Sequence, residues 1–168
     1  MNDPCSESVA SMIKNCRARR IVLFSVLSVC ITVIIFWNSL QNARASNELS
    51  HGVLTMVKPV LSWLFGDSEE IMDLIVRKTA HFVEFAALGL CLGGLADGIR
   101  ARFWRSSLLF FPLFSVLSVA VTDEFIQSFS DRTSAVKDVI LDFCGGAFGL
   151  AVIVLMLAVL QRWAKVRR

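Results

Sequence analysis

Three short runs of this 168-residue chain carry side chains that could do chemistry, and each lies at the edge of a long apolar segment. The first run holds Arg77, Lys78, His81 and Glu84. Spacings of three and four residues put them on one helical face. The second holds Asp123, Glu124 and Gln127, spaced in the same way. The third holds Lys137, Asp138 and Asp142, preceded by a short polar stretch with Asp131, Arg132 and Thr133. An imidazole beside a carboxylate can take up and return a proton, so His81 and Glu84 are the candidate acid–base pair. No serine or cysteine nucleophile motif accompanies them, which argues against covalent catalysis. His81 with Glu84 and Asp123 also offers nitrogen and oxygen ligands, a set better suited to a hard cation or manganese than to zinc. There is no HExxH, and the other histidine, His51, stands alone in a polar loop. With Arg77, Lys78, Arg132 and Lys137 at hand to occupy the carboxylates, neither a metal nor a cofactor is expected.

Those four cations nearly balance the five anions Glu84, Asp123, Glu124, Asp138 and Asp142. A plain alternative follows, in which the groups form an ion-pair network that staples helices together. Arg77 and Lys78 bear on the choice. If their helix begins beside them, its dipole repels them and the exposed N–H groups make an anion site. If it begins near Ser68, that argument lapses. The run Gly66-Asp67-Ser68-Glu69-Glu70 reads as a turn followed by a helix start, with acids in the first turn.

The elements that position these groups are membrane spans. Apolar residues make up 55% of the chain and charged residues only 18%, with a net charge of +3. Mean hydropathy is +0.65. Soluble domains are nearer 45–50% apolar and about 25% charged. This balance excludes a disordered chain, a nucleic-acid-binding tail and most soluble enzymes. Four segments, 21–37, 79–96, 106–122 and 139–160, are long enough to cross a bilayer, for which roughly 20 residues are needed. The first is longer than the 7–15 residues usual for a signal peptide, so it is expected to remain as a helix. Between the first and second segments, Val53–Phe65 is apolar around Lys58, Pro59 and Trp63, and suits a helix lying on the membrane or against the bundle. The cysteines follow no disulfide or zinc pattern and are expected to be reduced thiols. Gly145, Gly146 and Gly149, with Gly89, Gly93 and Gly94, form small-residue faces that suit close helix packing.

The expected fold is therefore all-α: a bundle of four transmembrane helices with a partly helical or amphipathic first outer loop. The domain spans 21–160, flanked by basic tails at 1–20 and 161–168. Lysine and arginine set its orientation. Eleven of the seventeen lie in the two tails and the second connection, and six lie on the other side. Both termini are thus expected in the cytoplasm, with the three polar runs gathered at the outer face.

The motifs resemble those of the VanZ-like family. The resemblance lies in Arg77-Lys78-Thr79-Ala80-His81-Phe82-Val83-Glu84-Phe85, in Leu88-Gly89, in Asp123-Glu124-Phe125-Ile126-Gln127, and in Arg132, Asp138 and Gly145 to Gly149. Phe36-Trp37-Asn38-Ser39, with Ser46 and Ser50, is similar to the family's serine-bearing stretch after its first helix. The likeness covers about Ile31 to Gly149. The chain departs from the pattern at Phe85, where tyrosine is common, at Asp142, where asparagine is frequent, and at Ser130-Asp131, where a proline-glycine pair often stands.

The resemblance implies a multi-pass protein of the bacterial inner (cytoplasmic) membrane in a cell-envelope setting. The family's namesake is associated with low-level resistance to the antibiotic teicoplanin. The leading expectation is an outer-face site for an anionic envelope lipid or glycopeptide-like ligand, lined by Arg77, Lys78, His81, Glu84, Asp123, Glu124, Gln127, Arg132, Asp138 and Asp142. The alternatives are a small membrane enzyme acting on a lipid-linked phosphate or envelope precursor, and a structural or assembly protein. The expected partner is the lipid bilayer, with no nucleic acid, and the oligomeric state is open.

Overall fold

A computed structural model describes residues 4–40, 62, 68–99, 107–129 and 136–167. The described chain is all-helical. It forms α1 (Pro4–Leu40), α2 (Glu69–Ile99), α3 (Ser107–Gln127) and α4 (Val136–Val166). Each helix contains a stretch long and apolar enough to span a membrane. Apart from Ser62, the apolar loop stretch Val53–Phe65 lies outside the described residues, as does the polar stretch with Arg132.

Each helix runs beyond its apolar core. α1 continues back to Pro4 through the basic residues expected to form a separate tail, and α4 continues to Val166. α3 carries on past Thr122 through Asp123 and Glu124 to Gln127. Such extensions are unsurprising, because lysine, arginine and glutamate are good helix formers and polar residues need not end a helix. α2 begins where the acidic turn predicts, with the Ser68 carbonyl accepting the first helical bond from the Met72 N–H. Within the spans, Ser28, Thr32, Ser118 and Thr122 donate their hydroxyls to carbonyls four residues back. That satisfies each hydroxyl inside its own helix, as a bilayer demands.

α2 lies at the centre. Of its apolar span 56% is buried inside the bundle, against 11% for α1 and 28% for α3 and for α4. It packs on all three neighbours and most extensively on α4. The order of paired positions gives the directions. Ile21 and Phe24 meet Gly98 and Gly94, so α1 and α2 are antiparallel. Phe82 and Ala86 meet Gly145 and Gly149, so α2 and α4 are parallel. In lipid no hydrophobic force draws two helices together, and close backbone packing takes its place. A Cβ at Gly149 would strike the Ala86 carbonyl, and one at Gly89 would strike the Gly146 main chain. The glycine faces are therefore helix–helix contacts, as their spacing predicts.

Ile35, Phe85, Leu88, Leu92, Val116 and Ala120 form the core between α1, α2 and α3. The outer surface is apolar as well, with Leu23, Val33, Phe110, Phe114, Phe148 and Leu155 all exposed. A large exposed apolar surface is what a bundle presents to lipid tails. One end of the bundle is closed by Arg20, paired with Asp97 at 3.0 Å, and by Arg17 Nε, which donates to the Gly98 carbonyl at 2.6 Å. The other end holds the polar runs.

Candidate functional site

The directions of the four helices fix where the site must be. α1 and α3 finish at one end of the bundle, where α2 and α4 start. Asn38 and Ser39 lie in the last turn of α1, and Asp123, Glu124 and Gln127 close α3. Lys137, Asp138 and Asp142 open α4, and Arg77, Lys78, His81 and Glu84 lie in the third to fifth turns of α2. Arg77 and Lys78 are thus well inside a helix that starts at Glu69. This start beside Ser68 is the alternative under which the case for an anion site at a helix N-terminus next to them lapses.

Asp123 is the hub. It is fully buried. Its Oδ1 accepts the Ser39 hydroxyl, and its Oδ2 accepts Gln127 Nε2 at 2.7 Å. Gln127 also reaches Ser39 Oγ at 3.3 Å, which closes a three-residue ring between α1 and α3. Charge-assisted hydrogen bonds of this kind orient a carboxylate as well as satisfy it. His81 Nδ1 faces Asp123 Oδ2 at 3.9 Å and Asp142 Oδ1 at 3.9 Å, too far for a hydrogen bond to either. The histidine side chain is 17% exposed, while both aspartates are almost completely enclosed. His81, Asp123 and Asp142 bring one ligand atom each within 4.8 Å of one another, a grouping able to hold a metal ion.

The remaining groups pair outward. Glu84 accepts Asn38 Nδ2 at 2.7 Å, so its partner is α1 rather than His81. Lys78 pairs with Asp138 across α2 and α4, and both side chains stay partly open to the surroundings. Arg77 is half-buried, Lys137 is exposed, and Glu124 is buried. Asp123, Asp138, Glu124 and Glu84 all lie near enough to Asp142 to act on it electrostatically. The described candidates therefore gather at one end, as the topology predicts. The sharper pairing of His81 with Glu84 is replaced by His81 with Asp123 and Asp142. Arg132 lies outside the described residues.

Spacing missed two members. Asn38 and Ser39 stand at the end of an apolar run with no charged neighbour close in sequence. Their only signal was similarity to a serine-bearing stretch, which placed them near the first helix but gave them no partner. The structure gives Asn38 to Glu84 and Ser39 to Asp123.

The arrangement can do three things chemically. A buried carboxylate pair facing an imidazole can attract a cation or exchange a proton. The partly open Lys78 and the exposed Lys137 can meet an anion arriving at the rim. Helix-to-helix bonds through Ser39, Asn38 and Lys78 can hold the bundle together. A family model described as VanZ/LLP1 matches residues 24–157 of the chain. No curated protein and no solved structure matches it.

Proposed function

The chain belongs to the VanZ/LLP1 family, and we propose that it is a cell-envelope protein of the bacterial cytoplasmic membrane whose polar end binds an anionic envelope lipid or glycopeptide-like ligand. Both termini lie in the cytoplasm in this reading, so the polar end faces outward; the excess of basic residues in the tails and second connection supports that orientation. The observation that carries the proposal is the layering of charge. Lys78 and Lys137 sit at the exposed rim, and Asp123, Asp142 and Glu124 lie buried behind it. A lipid phosphate entering at headgroup depth meets Lys78 and Lys137, with Asp138 beside them, before the buried carboxylates. The Lys78–Asp138 pair is partly open, so exchanging Asp138 for a phosphate costs little desolvation.

The test is retention of lipid by the purified protein, read by native mass spectrometry after exchange into vesicles of phosphatidylglycerol or of phosphatidylcholine. Binding should favour phosphatidylglycerol and fall several-fold in Lys78→Gln and Lys137→Gln. Equal retention of both lipids, unchanged in the variants, would remove the anionic-lipid reading. Expression in a susceptible host, with teicoplanin tolerance as the readout, tests the glycopeptide reading in the same variants.

A second reading is a membrane enzyme acting on a lipid-linked phosphate, favoured by the placement of His81 before two enclosed carboxylates. His81→Gln separates the two readings. An enzyme loses turnover while keeping its ligand, whereas a binding protein has no turnover to lose.

A further inference from the structure

The geometry points to a divalent-cation site formed by His81 Nδ1, Asp123 Oδ2 and Asp142 Oδ1, contributed by α2, α3 and α4. This goes beyond lipid binding and does not rest on it.

His81 Nδ1 stands 3.9 Å from each aspartate oxygen. That is too long for hydrogen bonds and too short for unrelated groups packed with lipid or apolar side chains between them. Two atoms bound to one ion at about 2.0–2.2 Å each lie roughly 3–4.4 Å apart, depending on the angle. The pairs through His81 fall in that range. All three residues bring a ligand atom within 4.8 Å of one another, a spacing that one ion can bridge.

Asp142 has the least polar company of the three. It is 1% exposed and makes no hydrogen bond among the described residues. Its only described polar neighbour at ion-pair distance is His81. A buried carboxylate without a donor is costly. Lys78 is held by Asp138, and Glu84 is held by Asn38. Asp123, Asp138, Glu124 and Glu84 all act on Asp142, so a cation held between His81, Asp123 and Asp142 is favoured there.

Asp123 is oriented by two donors, Ser39 and Gln127, which leave Oδ2 turned toward His81. Outer hydrogen bonds that fix a ligating carboxylate are a regular part of a metal centre. One imidazole and two carboxylates suit manganese or a similar divalent ion, and three protein ligands leave positions open. His81 is the least covered of the three, with 17% of its side chain exposed.

The probe is Mn²⁺ added to the purified full-length protein in detergent after treatment with a chelator. Bound Mn²⁺ is read by loss of its free-ion paramagnetic resonance signal, and melting temperature is followed with and without the ion. The wild type should bind one equivalent and melt higher with Mn²⁺. His81→Gln and Asp142→Asn should each weaken binding at least tenfold and lose the ion-dependent rise in melting temperature. Asp97→Asn, at the opposite end of the bundle, should keep both. Asp142→Asn removes a buried charge and keeps the side-chain shape, so it should stay folded without metal. If Asp142→Asn is nonetheless unfolded, His81→Gln carries the comparison alone. Absence of Mn²⁺ binding in the wild type would overturn the inference. So would binding that is unchanged in a folded Asp142→Asn or His81→Gln protein.

Discussion

Ser39, near the end of α1, donates its hydroxyl to Asp123, near the end of α3, across 84 positions of sequence. Both side chains are fully buried. Losing a hydrogen bond to a charged group costs about 1.5–3 kcal/mol. Ser39→Ala should therefore lower stability by that amount in thermal unfolding in detergent. Ser39→Ala combined with Asp123→Asn should cost less than the two single changes summed, since the residues share one bond. Strictly additive losses would show that the contact carries no energy.

Lys78 and Asp138 are a different kind of pair. Their side chains are 41% and 31% exposed. A partly open ion pair contributes on the order of 0–1 kcal/mol. Lys78→Gln should leave the melting temperature nearly unchanged while weakening retention of phosphatidylglycerol. A large fall in stability with no change in lipid retention would instead assign the pair to holding the bundle together.

Gly149 admits no side chain. Its Cβ position is occupied by the Ala86 carbonyl, and main chain cannot move aside as a flexible side chain can. Overpacking of this sort costs roughly 1–3 kcal/mol or more. Gly149→Ala should destabilise the bundle by at least that much. Ala151→Val, on the exposed surface of the same helix, should be tolerated. Equal melting temperatures for the two variants would mean that α2 and α4 are not in backbone contact.

The orientation is open to a direct check. Cys16 is exposed at the end of the bundle closed by Arg20 and Asp97, and Ser128 is exposed at the opposite end. An impermeant thiol reagent applied to intact spheroplasts should leave Cys16 unmodified and should modify a cysteine introduced by Ser128→Cys. Permeabilised cells should react at both positions. Labelling of Cys16 alone in intact cells would invert the topology and put the polar end in the cytoplasm.

Much of this fold is legible in the sequence because a bilayer imposes one simple demand. Roughly 20 consecutive apolar residues must pair their backbone internally, so four such runs mean four helices. The alternation of helices across the membrane then brings Arg77 to Glu84, Asp123 to Gln127 and Lys137 to Asp142 to one end without any tertiary argument. Partner choice is not legible in that way. His81 and Glu84 are three residues apart, and at about 100° per residue their directions differ by roughly 60°. On a central helix that is enough for Glu84 to meet α1 while His81 faces α3 and α4. Spacing shows which residues share a face, but not where one neighbouring helix gives way to the next. Asn38 and Ser39 escaped for a related reason: short polar side chains at the end of an apolar run look like an ordinary interfacial boundary. The start of α2 was readable because Ser68 and its acidic followers form a local signal.

The parallel contact between α2 and α4 also bears on how the protein is made. α2 is the least apolar of the four spans, with a hydropathy of 1.6 against 2.6 for α4. It carries Arg77, Lys78, His81 and Glu84, each unfavourable in lipid on its own. Its most extensive interface is with α4, which leaves the ribosome last. For the interval between the two, α2 has its charges but lacks its main partner. Stable membrane insertion of α2 is then expected to wait for Gly145 and Gly149 of α4. A chain truncated after Gln127 should show α2 reverting to a protease-accessible, non-spanning form during biogenesis, and stable spanning in that truncation would show that α1 and α3 suffice.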